Sequence, residues 1–287
     1  MKKMGDRRDG TLIRNIDSMH IIMPLMYPDR CDNEAYMRVL VDLTEIDKYL
    51  EKKNAGQPRY KYTLFQLVIA AMLKVMVLRP KMNRFIANKN IYQRNCYTAA
   101  FTMKKTFDDD GDEVLTRTVV TPDSTLEDVR KQMLKQIIAC REEDKKDQST
   151  EGMDMLQKLP RPLLKAAGAV ARSLDRHGWI PESIVATDPF QSSVVLSNIG
   201  SLHIPGGYHH LTNWGTTSVM CMVGEISERA FRIDGKSEYH RAVELGITID
   251  ERIADGYYYA KTVRYLKYIL AHPEILEEPF STAIDVK

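Results

Sequence analysis

The chain has 287 residues, 44% of them hydrophobic and 28% charged, which is the composition of a globular protein able to bury a sizeable core. Its 41 Lys and Arg nearly cancel its 39 Asp and Glu, so charge gives no basis for a nucleic-acid or anionic-membrane partner. No apolar run approaches the roughly 20 residues of a membrane helix, and the opening MKKMGDRRDG lacks the apolar core of a secretory signal, so a cytoplasmic protein is expected. Four isolated cysteines, Cys31, Cys96, Cys140 and Cys221, form no CxxC pair and read as buried free thiols, neither a zinc site nor a disulfide framework.

Residues 1–18 read as a polar lead-in to one domain over 19–287. The Met-rich stretch 19–27 is expected to pack on the core. Residues 36–43 alternate as a strand, and Thr44 is the expected N-cap of a helix running to about 53. Thr63 and Gln66 make a capping box before the run LFQLVIAAMLKVMVL, a helix apolar on nearly every face and therefore buried. Two strands, 95–106 and 114–120, flank the acidic turn 108–111, which lacks the twelfth-position ligand of an EF-hand. Ser124 and Glu127 read as a second capping box, opening a helix to about 145. Residues 160–178 form a basic amphipathic helix with Pro at its start and Gly178 beyond its end, within a helical insertion at about 150–190. Strands at 193–196, 218–223 and 245–249 lead to a final helix after Asp255-Gly256, with Ala260, Val263, Leu266 and Leu270 as its expected buried stripe. Strands and helices mix without strict alternation, which points to an α/β fold of the two-layer α+β kind, a mixed sheet with helices packed on one side. No GxGxxG, GxxxxGK[ST] or GxSxG occurs, so the dinucleotide, P-loop and α/β-hydrolase readings lose their main support.

The segment from Ile249 through Asp250, Glu251 and Arg252 to Asp255-Gly256 resembles the DHRxxDG signature of the dihydrolipoyl acyltransferase core of 2-oxo-acid dehydrogenase complexes. It is similar, too, to the HHxxxDG signature of chloramphenicol acetyltransferase. Leu196-Ser197-Asn198-Ile199-Gly200 resembles the family's TISNLG segment, the run from Asn213 to Gly224 its NPPQAAILAVG stretch, and Pro80-Lys-Met-Asn83 its PELNA. The blocks keep the family's order from about residue 12 to residue 279; each block is weak alone.

The resemblance implies the chloramphenicol-acetyltransferase fold and a homotrimer, or trimer-based oligomer, with each active site between two subunits. It implies acyl transfer from a thioester to a thiol or hydroxyl, a histidine base, a serine hydrogen-bonded to the oxyanion and an aspartate that fixes the loop. Carried over by position, the serine is Ser197 and the aspartate Asp255, but the histidine's place holds Glu251. A carboxylate of ordinary pKa, about 4.3, is a poorer base than imidazole near 6.5. Desolvation would raise it; alternatively, Glu251 pairs with Arg252 or another cation at the loop. His209 and His210 follow the Ser197 segment and are the second candidates for the base, one facing the site if the stretch is extended. Neighbours on a strand point oppositely, so joint ligation of a metal with Glu251 is disfavoured and no metal is expected. Without a lipoyl domain or swinging linker, soluble coenzyme A thioester is the expected co-substrate and no cofactor is held covalently. Two functions compete. One is acyl transfer to a small hydroxyl, amine or thiol acceptor. The other is an inactive homologue acting as a ligand-binding or structural trimer.

Overall fold

The buried helix sets the frame. In a computed structural model of the chain, which describes residues 3–104, 113–142 and 159–286, Leu64–Leu78 is helical and every residue from Gln66 to Met76 is buried. Its capping box is closed: Gln66 N donates to Thr63 Oγ1 and Thr63 N donates to Gln66 Oε1 at 3.1 Å. In chain order the strands are β1 (Gly10–Leu12), β2 (Glu34–Asp42), β3 (Arg84–Ala87), β4 (Asn90–Arg94), β5 (Tyr97–Lys104), β6 (Glu113–Val120), β7 (Val194–Asn198), β8 (Val219–Val223), β9 (Ser227–Ile233) and β10 (Lys236–Asp250). The α-helices are α1 (Ser18–Met26), α2 (Thr44–Asn54), α3 (Leu64–Leu78), α4 (Leu126–Glu142), α5 (Arg161–His177), α6 (Glu182–Thr187) and α7 (Gly256–Ala271).

The main sheet runs β2-β10-β8-β7-β5-β6, with β9 also on β10. Among the described residues, only β5–β7 and β7–β8 are parallel pairs, which makes the sheet mixed. Alternation along the strands divides its faces. Ala99, Phe101, Val194, Leu196, Val219, Cys221, Leu245 and Ile249 join the main core with α3 and α7, while Ala100, Val195 and Met220 face the other way and pack with Leu211. That second face is crossed by the chain after β7. At Gly246 a Cβ would stand 1.8 Å from the Gly207 carbonyl oxygen, so only glycine lets the crossing lie so close.

Several expectations are corrected. Residues 1–18 are not merely a lead-in: β1 pairs with β4 in a three-stranded sheet with β3, and Arg7 is buried. The β3–β4 hairpin, turned through Asn88 and Lys89 at positive φ, was not expected; polar Asn-Lys-Asn at its tip is its turn signal. Helix α1 does not bury its apolar side chains. It touches β4 and the turn after β10 along one side, leaving Met19, Ile21, Ile22, Leu25 and Met26 at least half exposed and only Pro24 buried. The cap of α4 is Thr125 with Asp128, whose Oδ2 accepts from Thr125 N at 2.9 Å; Ser124 Oγ instead accepts from Thr121 N. The buried stripe of α7 is Tyr259, Thr262, Leu266, Ile269 and Leu270, with Ala260 exposed, because the helix is rotated to bring Tyr259 under the loop before it. Cys221 is buried as expected, but Cys96 is half-buried and Cys31 exposed, since the short turn Arg30–Asp32 sends Arg30 inward instead. The Cys140 side chain, the acidic turn at 108–111 and residues 143–158 lie outside what is described.

Candidate functional site

Strand β10 carries the signature to the end of the sheet. Its last residue, Asp250, is fully buried, and its carboxylate takes Arg252 Nε and Nη2 at 2.7 Å each. Arg252 Nη1 reaches back to the Tyr27 and Pro28 carbonyls at 2.8 and 3.1 Å. A second buried guanidinium, Arg30, lies 3.6 Å from the same carboxylate and bonds the Ile86 carbonyl and Asn213-flanking backbone at Thr212. Burial lowers the Arg30 pKa, and the Asp250 charge opposes that shift. The Tyr259 hydroxyl donates to the Asp250 carbonyl at 2.9 Å and accepts from Ala254 N at 3.1 Å; burial raises its pKa, which keeps it protonated.

On this braced turn Glu251 projects into solvent, its backbone N–H on the Asn33 carbonyl at 2.9 Å. It does not pair with Arg252, whose charge is taken by Asp250. Asp255 caps α7 by accepting from Tyr258 N at 2.8 Å, a bond that lowers its pKa, with Lys81 3.9 Å away. The Arg79 guanidinium stacks 3.7 Å from the Tyr258 ring centre and fixes that side chain; Tyr257 is exposed and Tyr259 buried.

Ser197 is half-buried near the end of β7, and no hydrogen bond of its hydroxyl is found among the described residues. Register separates it from Glu251. Ser197 pairs with Met222 and Met222 with Gly246, five residues before Glu251. Two strand spacings across and five residues along give about 19 Å, far beyond the reach of the two side chains. One chain does not bring them together.

His209 and His210 are not extended with rings on opposite sides. The rings stack with centroids 4.6 Å apart, and each Nδ1 is hydrogen-bonded to the next carbonyl, at 2.7 and 2.8 Å. The second half of this crossing segment reaches Glu34, which accepts from Leu211 N and lies opposite Asp250 in register. The histidines thus stand at the Glu251 end of the sheet, away from Ser197. Cys31 lies there as well, its Sγ 2.9 Å from the Leu211 carbonyl, with its thiol pKa raised by partial burial and then by the Glu34 charge.

Arg30, Cys31 and Glu34 at this end escape sequence reasoning. Arg30 and Asp250 belong to one buried cluster with Arg252, and only the Asp250–Arg252 half has a local signal, its i,i+2 spacing at a strand end. Glu34 lies 176 residues from His210, and no local pattern joins them. A cavity of about 200 Å³ is lined by Arg7, Arg8, Arg94 and Arg117 among others, and none of the five candidates borders it.

No protein-family model matches the chain, and no curated protein does. Solved structures match in fold. A probable dihydrolipoamide acetyltransferase from Listeria monocytogenes superposes with a TM-score of 0.60 at 16% identity, covering 99% of this chain and 100% of that one. The dihydrolipoamide acetyltransferase of Azotobacter vinelandii gives 0.60 at 13% identity over 93% and 94%. A chloramphenicol acetyltransferase gives 0.52 at 12% identity over 91% and 99%. Together with the mixed sheet and its covering helices, these matches show that the chain has the chloramphenicol-acetyltransferase-like fold that it shares with the catalytic domains of dihydrolipoamide acyltransferases.

Proposed function

We propose that the chain transfers an acyl group from a coenzyme A thioester to a small hydroxyl, amine or thiol acceptor. It acts in the cytoplasm as a trimer whose sites lie between copies. The observation that carries this reading is Glu251, held exposed on a rigid turn at one end of the sheet while Ser197 waits at the other. Each chain then offers half a site at either end, and a neighbour supplies the missing half. The exposed apolar face of α1, beside the Glu251 turn, is a surface that a second copy would cover.

In this reading the acceptor heteroatom attacks the thioester carbonyl as Glu251 takes its proton. Ser197 of the neighbouring copy donates a hydrogen bond to the oxyanion. The C–S bond then breaks and coenzyme A leaves as the thiol, carrying the proton from Glu251. His209 and His210 are the second candidates for the base: with Nδ1 donating to a carbonyl, each keeps a lone pair on Nε2.

The test follows coenzyme A release with a thiol reagent across a panel of donors and acceptors. Glu251→Gln abolishes turnover if Glu251 is the base, with the fold intact by circular dichroism. If a histidine is the base, Glu251→Gln is mild and alanine at His209 or His210 costs about 10²–10⁴-fold. Light scattering should report three times the 33.0 kDa chain mass. The second reading, a ligand-binding or structural trimer without catalysis, is favoured by the arginine-lined cavity, which none of the five candidates borders. It prevails if no donor turns over, even with Glu251→His, and coenzyme A fails to bind by calorimetry.

A further inference from the structure

We propose that Cys31, Glu34 and His210 form a zinc-binding site with an open coordination position. One ligand atom from each residue, the Cys31 sulfur, a Glu34 carboxylate oxygen and a His210 ring nitrogen, lies within 4.8 Å of the other two. Around a tetrahedral zinc with bonds of about 2.0–2.3 Å, ligand atoms sit about 3.3–3.8 Å apart. A shift of roughly 1 Å or less in each side chain therefore closes the set around the ion. The donor types select the metal. Thiolate and imidazole with one carboxylate suit zinc, whereas magnesium and calcium take oxygen ligands.

The supports of a metal site are already in place. His210 Nδ1 is hydrogen-bonded to the Leu211 carbonyl at 2.8 Å, which orients the ring. Glu34 is held by Leu211 N and by the Tyr36 hydroxyl. Asn213 Oδ1 accepts from the backbone N of Arg30 and of Cys31, at 2.7 and 3.2 Å, and fixes the turn that presents the thiol. The short segment 210–213 thus organises all three ligands. Cys31 and His210 are exposed, so the ion has an open path and room for a water in the fourth position.

Binding replaces one contact. The Cys31 thiol, now on the Leu211 carbonyl, gives its proton to solvent as the sulfur–zinc bond forms. The site borders the Glu251 turn through the Glu34–Asp250 pair, but no step of acyl transfer is needed for it.

The test uses the full chain, stripped with a chelator and titrated with Co²⁺, without any acyl donor. A thiolate-to-cobalt charge-transfer band in the near ultraviolet should saturate at one equivalent per chain and vanish on adding Zn²⁺. Cys31→Ser should remove the band, and His210→Ala should weaken binding by at least about 10–100-fold, the loss typical of an outer-shell partner alone. Thermal melts establish that both variants fold. Should Cys31→Ser not fold, the unmodified chain still decides: Zn²⁺ should protect Cys31 from iodoacetamide, read by peptide mass spectrometry. A missing band with no protection, or a band that persists in Cys31→Ser, overturns the proposal whatever the acyl-transfer assays give.

Discussion

Asp250→Asn is the sharpest probe of the signature turn. The carboxylate is fully buried and is shared by two guanidiniums, Arg252 at 1% exposure and Arg30 at 5%. Asparagine keeps the volume but removes the charge, and one of the two oxygens that receive Arg252 becomes a donor. Breaking a buried pair by removing one partner costs about 3–5 kcal/mol, because the remaining charge is left without compensation. Here two cations lose it, Arg30 keeping only the weaker pull of Asp175, so a loss within that range is expected, with a fall in Tm on the order of 10 °C. Urea unfolding followed by far-UV circular dichroism measures it. Asp255→Asn is the control: the side chain is exposed and asparagine caps a helix as well as aspartate, so the change should stay within about 0.5 kcal/mol. The double variant Asp250→Asn with Arg252→Met removes one cation with its anion and should recover part of the loss. A single-variant loss below about 1 kcal/mol, or a double variant no more stable than the single, refutes the charge argument.

Two further outcomes follow from the packing and the surface. Gly246→Ala should cost about 1–3 kcal/mol in a urea titration, because the new methyl meets the Gly207 carbonyl oxygen and lifts the crossing segment off the sheet. His240 is held 2.6 Å from Asp42, with Glu238 at 3.6 Å, and the Asp42 hydrogen bond raises its pKa above 6.5. A raised folded pKa stabilises fully below the unfolded value and is lost as pH climbs through the folded one. The Tm difference between wild type and His240→Asn should therefore be at its full size below pH 6.5 and shrink as pH rises from there through the folded value.

The sequence reveals elements whose cause is local. The α3 capping box, the Pro-to-Gly bounds of α5 and the Asp255 cap of α7 are each written within a few residues. Errors arise where distant partners decide. The lead-in gains a strand because β4, about eighty residues on, offers an edge to Gly10–Leu12. The apolar stretch 19–27 has the composition of a core segment, yet its helix lies on the rim of the sheet, where a single chain has nothing to bury it against. Strand β10 runs from Lys236 because β9 pairs with its polar half, and hydrophobic periodicity sees only the buried end. At the candidate site the linear signature singles out Glu251 and Asp255 as candidates. It carries no sign of Arg30, Cys31 and Glu34, which the fold brings there from the turn before β2 and from its first residue.

The separation of Ser197 from Glu251 allows a test that no single-site variant provides. If each site takes its serine from one copy and its carboxylate from the next, Ser197→Ala and Glu251→Gln each cripple every site in their own homotrimers. Unfolding the two together and refolding them at equal concentration makes hybrids. An intact site needs a serine donor carrying Gln at 251 and a carboxylate donor carrying Ala at 197. Random mixing around a closed ring meets both conditions at about one interface in four, so activity should return to roughly a quarter of wild type. If the two residues served one chain's own site, every site in every hybrid would still carry one of the two substitutions and no activity would return. The unmixed variants, refolded alone, set the background. Wild type carried through the same cycle sets the ceiling, and light scattering on the mixture verifies that the trimers have re-formed. A mixture no more active than its components, from trimers of the right mass with an active wild-type control, would refute a site shared between copies. The 19 Å between Ser197 and Glu251 would then mean that at most one of them takes part in any chemistry.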